Sequence, residues 1–279
     1  MTAGIHCVAL IALGLLLVPP LAAQEAEKPK ADEAQAKPPE KEPEKKPDKL
    51  DRVLDSFLKS VSEDKSLDEA KRRAVLTLVE AQRADADRRV TAITDALAAV
   101  NDDFRGALAA LAAEDVKTAI GALEKLVAAK DEYLAAEAAY FLARALVIEE
   151  RCEDALPLLE KLTKKMADQS MYSGDAQFLL GVCHLQLLDR RQAISALEKF
   201  LKDYPDAPER LRVGAYRQVE ELKGMREGSL VDVHDRMGFS RRKLQLEDSG
   251  QKTRSEQDKI IAMLDVLIKE AEDREKGGT

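Results

Sequence analysis

The chain reads as an all-α protein, an array of helical hairpins (an α-solenoid) with a further helical hairpin at each end. Three observations carry that prediction. Ala, Leu, Glu and Lys, all strong helix formers, dominate the composition, and the Val-, Ile-, Thr- and Tyr-rich runs that make strands are missing. From Leu50 onward, apolar residues recur at i, i+3, i+4 and i+7, the spacing of one helix face. Three stretches are near copies of one another: "AIGALEKL" at 119–126, "ALPLLEKL" at 155–162 and "AISALEKF" at 193–200.

The first element is an address. "CVALIALGLLLV" (7–18) is an uncharged apolar run, too short for the ~20 helical residues that cross a bilayer. Followed by "PPLAAQ", it fits the apolar region of a secretory signal peptide (1–23) cleaved near Ala23. The expected location is therefore the periplasm or cell envelope. A membrane anchor that is never cleaved is the alternative, and membrane contact is expected only in that case. Residues 24–49 hold eight acids and seven lysines among Pro, Ala and Gln. They have no apolar period and too little apolar surface to offset ordering entropy, so a disordered linker is expected.

Residues 50–100 are expected to form a helical hairpin. Leu50, Val53, Leu54, Phe57, Leu58 and Val61 share one helix face. Ser66 and Glu69 have the spacing of a capping box for the second helix. "EAQRADADRR" (80–89) is polar on nearly every side, which predicts projection into solvent or a break.

The repeated part spans 101–223. Ala119, Ala155 and Ala193 align at spacings of 36 and 38 residues. "AAYFLARALVIEERCEDALPLLEKL" (138–162) sits over "AQFLLGVCHLQLLDRRQAISALEKF" (176–200), each reading as helix, short turn, helix. Ala143 and Gly181 are small enough to let the two helices of a unit approach closely, with Ala155 and Ala193 facing them and leucines filling the seam. Pro157 is expected near the first turn of its helix, where the lost donor costs little. "DYPDAP" (203–208) ends the third unit, and 209–223 reads as a lone closing helix, the cap a stacked array needs.

Leu180-Gly181, Ala193, Leu197, Phe200 and Pro205 resemble the tetratricopeptide repeat (TPR), as do Leu142-Ala143, Ala155, Leu159 and Leu162. The first unit matches only through Ala107, Ala119, Leu123 and Leu126. Leu146 and His184 stand where the family has an aromatic, and the longer period implies longer turns than the family's usual one. The resemblance implies a concave groove lined by the first helix of each unit. The matching positions are Phe104 and Leu108, Tyr140 and Arg144, then Phe178, Val182 and Gln186. Such a surface would take a hydrophobic helix or an extended segment of a partner protein or peptide, with an aromatic anchor. The other reading is that the chain's own terminal helices fill the groove.

A C-terminal hairpin is expected over 224–279, ending in a frayed "KGGT". Leu230, Val233, Met237 and Leu244 form one apolar stripe, and Ile260, Ile261, Leu264, Leu267 and Ile268 another. Thr253 and Glu256 have capping-box spacing. This tail resembles those of exported bacterial repeat proteins.

No catalytic motif stands out. G-x-S-x-G, the P-loop and H-E-x-x-H are missing from the sequence. His184 falls at a core position of the repeat. His234, between Asp232 and Asp235, is a poor metal candidate because adjacent residues on a helix point apart. No cofactor and no metal are expected. A net charge of −8 argues against general nucleic-acid binding, which needs a basic footprint. The basic "SRRK" (240–243), close to "LED", reads as an exposed helix face. Cys152 and Cys183 read as small packing residues that could pair in an oxidising compartment. The expected function is a non-catalytic scaffold or adaptor that binds protein. Self-assembly through the terminal hairpins as coiled-coil contacts is the alternative, so a homo-oligomer stays open.

Overall fold

Polar interruptions and caps decide where each helix of this chain starts and stops. The structure, a computed structural model, describes residues 49–65 and 67–277, so the expected leader and the linker up to Asp48 lie outside it. Among the described residues there are thirteen α-helices and no strand.

The N-terminal region is four helices rather than a simple hairpin. Helix α1 (Lys49–Glu63) takes in Lys49, the last residue of the expected linker, and buries Val53, Leu54, Phe57 and Val61. Helix α2 (Glu69–Arg83) is capped by Asp68, whose carboxylate accepts the Lys71 amide at 2.7 Å. The cap therefore lies two residues past Ser66, which is outside the described residues. The polar stretch breaks, as one of the two readings required. Asp85 accepts the amides of Asp87 and Arg88 and starts α3 (Ala86–Arg89), followed by α4 (Ala92–Val100). The break is clasped to α1, with Arg83 2.6 Å from Asp55 and Arg89 3.6 Å from Asp51.

Three helical pairs follow: α5 (Asp102–Ala112) with α6 (Val116–Leu126), α7 (Glu132–Ile148) with α8 (Cys152–Lys165), and α9 (Ser173–Gln186) with α10 (Arg190–Asp203). Their seams use the aligned residues. Ala107, Ala119, Ala143, Ala155 and Ala193 are buried, together with Leu123, Leu142, Leu159, Leu180 and Leu197. Gly181 is there for space, since a Cβ on it would stand 2.6 Å from two side-chain carbons of Leu197. Pro157 lies one turn deeper than expected, inside α8, so one interior helix bond is forgone. Helix α11 (Glu209–Gly224) closes the array by covering Leu197 and Phe200 with Ala215 and Val219.

The C-terminal pair is α12 (Leu230–Gln245) and α13 (Gln251–Gly277). Arg236 on α12 ties the two together, bonding Asp232 at 2.8 Å and Glu256 of α13. The expected capping box at Thr253 does not form. Helix α13 begins two residues earlier, and the buried Thr253 hydroxyl donates to the Asp248 carbonyl at 2.9 Å. No residue of α13 beyond Ile260 is buried.

One turn recurs. Glu114, Glu150, Leu188 and Glu247 end α5, α7, α9 and α12 in the left-handed region, at φ 59°, 58°, 63° and 57°. At each, the next amide reaches back to close the helix end: Asp115 to Ala110, Arg151 to Leu146, Asp189 to His184 and Asp248 to Lys243, at 2.8–2.9 Å. This six-to-one bond satisfies a carbonyl the helix end would leave orphaned.

Candidate functional site

The groove positions come from α5, α7 and α9. The structure does not hold them open as a row. Phe104 is fully buried, edge-on to Phe141 at 6.1 Å, with its amide capped by Asn101. Leu108 is half-buried against the same core. Tyr140 is 3% exposed, stacked on Tyr172 at 4.2 Å, and its hydroxyl donates to Asp175 at 3.2 Å. Arg144 is half-buried within the field of Asp175. Phe178 packs edge-on against Phe200 at 5.5 Å, and Val182 is half-buried. Gln186 is engaged twice: its side-chain oxygen accepts the Cys152 thiol at 3.2 Å, and its carbonyl accepts Arg242 at 2.6 Å.

The assignment of Phe104 and Tyr140 to a ligand-facing groove is therefore corrected. The chain's own helices cover that side of α7, as the rival reading held for residues 50–100. Phe57 of α1 meets Tyr133 edge-on at 5.0 Å. Thr94 of α4 donates to the Glu137 carboxyl at 2.6 Å and lies 3.1 Å from the Tyr172 hydroxyl. At the far end, Lys49 donates to the Tyr204 hydroxyl at 3.0 Å.

Under this cover lies a polar cluster that the sequence reading missed. Glu137 is fully buried, and burial pushes its carboxyl up to about 8, against the opposing pull of hydroxyls on Thr94 and Ser170. It is thus mostly neutral at pH 7. One of its oxygens has no partner at full hydrogen-bond geometry, so Thr94 makes the firm contact and Ser170 the weaker one. Burial also pushes up Asp175 and the Tyr140 and Tyr172 phenols. A signal was available: Glu137 stands in "YLAAEAAYFLARAL" with apolar or aromatic residues at i±3 and i±4, so no cation on its own helix can pair with it.

"SRRK" is not a free solvated face. Arg241 pairs with Glu150 at 3.2 Å, Arg242 reaches the Gln186 carbonyl, and Lys243 bridges Glu153 at 2.8 Å and Asp248 at 2.6 Å. These contacts fasten α12 to the turn between α7 and α8, to the start of α8 and to the end of α9. His184 is partly buried, and burial holds its pKa down against the pull of Asp189. His234 is exposed, 3.3 Å from Asp235. Among the described residues, no group of three or more His, Cys, Asp or Glu could hold a metal ion. No helix among them is long and apolar enough to cross a membrane.

The exposed apolar surface lies elsewhere. Eleven large apolar residues are exposed among the described ones, and ten of them, from Val213 to Ile268, belong to α11–α13 or the turn before α13. Leu230, Met237 and Leu244 stand seven residues apart on α12, at 69%, 54% and 49% exposure.

Residues 175–207, which run through α9 and α10 to the turn before α11, match the family model of the tetratricopeptide repeat. The protein is TPR-like. Repeats of this family generally mediate protein–protein interaction, and the fold is generally non-catalytic. No curated protein and no solved structure matches the chain.

Proposed function

We propose that this TPR-like protein is an exported, non-catalytic scaffold or adaptor in a bacterial cell envelope, and that it holds a partner protein through α11–α13. The concentration of exposed apolar residues on those helices carries the reading. Large apolar residues left exposed together on a few helices mark an interaction site. Of the positions first assigned to the repeat groove, Phe104 and Tyr140 are buried, Phe178 packs on Phe200 of α10 and Gln186 is held by Cys152 and Arg242, so the partner surface shifts to the C-terminal helices. The leader at 1–23 and the Pro- and Lys-rich stretch behind it support export and tethering.

The test is affinity capture from a native envelope fraction, using the mature chain and a Met237→Glu/Leu244→Glu variant. Both substitutions fall on exposed sites, so helicity and melting should be unchanged. A protein retained by the parent and lost by the variant is the expected result. Equal retention would refute this surface, and N-terminal sequencing that recovered Met1 from a cytosolic pool would refute export.

The seven-residue spacing on α12 also favours a second reading, self-assembly through a coiled-coil seam. Sedimentation at micromolar concentration separates the two. A dimer abolished by the same variant supports assembly, and a monomer supports the adaptor.

A further inference from the structure

Cys152 and Cys183 lie 31 positions apart in sequence, on α8 and α9, and both are buried free thiols. The structure brings them to one place. Cys183 and Gln186 are three residues apart and so share a face of α9. The Cys152 thiol lies on that face, 3.2 Å from the Gln186 side-chain oxygen. Each thiol also shifts the ionisation of the other, as neighbours in one buried place do.

Their surroundings differ. Cys152 is the first residue of α8, at the positive end of that helix. The neighbouring Cys183 holds its thiol below the ordinary range, with help from the Arg242 charge and against burial. Cys183 is pushed up by Cys152 and by burial. The helix N-terminus beside Cys152 makes it the better placed of the two to lose its proton first when a donor reaches the pair.

We propose that Cys152 and Cys183 are a dithiol–disulfide couple, oxidised by a disulfide donor through thiol–disulfide exchange. The Cys152 thiolate attacks one sulfur of the donor, R–S–S–R, forming a mixed disulfide and expelling one RS⁻. The Cys183 thiolate then attacks the Cys152 sulfur, closing the Cys152–Cys183 bond and expelling the second RS⁻. The two protons lost by the cysteines end on the two released thiolates. Two protein thiols are oxidised and one donor disulfide is reduced to two R–SH.

The bond would tie the second helix of one repeat covalently to the first helix of the next, where packing and the Cys152–Gln186 hydrogen bond hold them otherwise. It would also remove the Cys152 donor from Gln186, whose carbonyl anchors Arg242 of α12. The couple is independent of the proposed partner surface. It draws on the export reading only for a compartment rich in disulfide donors.

The experiment uses the full chain with oxidised glutathione as donor, both added to the folded protein and present during refolding from denaturant. Peptide mapping should find the 152–183 linkage, an intact-mass loss of about 2 Da that dithiothreitol reverses. The variants Cys152→Ser and Cys183→Ser should each lack that linkage while keeping the parent's helical circular dichroism. If a variant fails to fold, the map of the parent chain decides alone. A stable glutathione adduct on either cysteine without closure would overturn the couple. So would a bond to Cys7, or free thiols after oxidative refolding.

Discussion

Replacing Glu137 with Gln should make the protein more stable, and increasingly so as the pH rises. The carboxyl is raised from 4.5 to about 8 by burial. The raised value sets the sign. Below pH 4.5 the group is protonated in both folded and unfolded chains, and its neutral form costs nothing extra. Between 4.5 and 8 the unfolded chain gives up the proton and the folded chain keeps it, so stability falls as pH rises. Above 8 the loss is complete. At ~1.36 kcal/mol per unit the full loss is about 5 kcal/mol, an upper limit that water entry and relaxation would reduce. The amide introduced by the substitution has no charge to bury. Urea unfolding at pH 5, 6.5 and 8 should therefore show the two stabilities diverging by roughly 1 kcal/mol per unit. Asp175, Tyr140 and Tyr172 lie in the same cluster, and the charge of the exposed Asp95 acts on Tyr172, but all four are common to both chains, so the difference isolates Glu137. Parallel pH profiles would refute the neutral buried carboxyl and, with it, the account of how α4 seats on α7.

Three further substitutions test the packing. Gly181→Leu should lower the melting temperature by the equivalent of roughly 1–3 kcal/mol, because Leu197 already occupies the space; a melt within a degree of the parent would place the α9–α10 seam elsewhere. Tyr140→Ala should cost ~3 kcal/mol or more in denaturant unfolding, as for any large aromatic removed from a core, and a near-neutral result would return Tyr140 to a surface role. Leu188→Gly should stabilise by roughly 0.5–1 kcal/mol, since its backbone is left-handed and only Gly adopts that without a Cβ clash; calorimetry showing a loss would mean that the Leu188 side chain packs more than its turn strains.

The array was legible in the sequence because its packing is local. The alanines at 119, 155 and 193 and the glycine at 181 set seams between neighbours in the chain, and aligning the repeated stretches found them. The polar stretch at 80–89 allowed either a break or projection into solvent, and the break at 84–85 is the structure's choice between them. The caps misled because Ser66 and Thr253 offered the right side chains while Asp68 and an earlier start at Gln251 took the positions. The cover over α7 could not be read, since it depends on Thr94 meeting Glu137 across 43 residues and Lys49 meeting Tyr204 across 155. "SRRK" was misjudged similarly: Glu150 and Gln186 are 91 and 56 residues from the arginines they hold.

The recurring turn has a consequence for how such a protein can change length. Glu, Glu, Leu and Glu occupy its left-handed position, so the corner is enforced by main-chain bonds and not by any one side chain. It also closes α12 onto α13, a pair outside the recognisable repeats. A helical pair joined this way carries its own corner within it. Duplication or deletion of such a pair leaves every remaining corner intact and asks only that the neighbouring faces still mesh. The 36- and 38-residue periods are then no defect of a degraded repeat. The corners at 114, 150 and 188 keep the same 36- and 38-residue steps, so the difference in length lies in the segments between them.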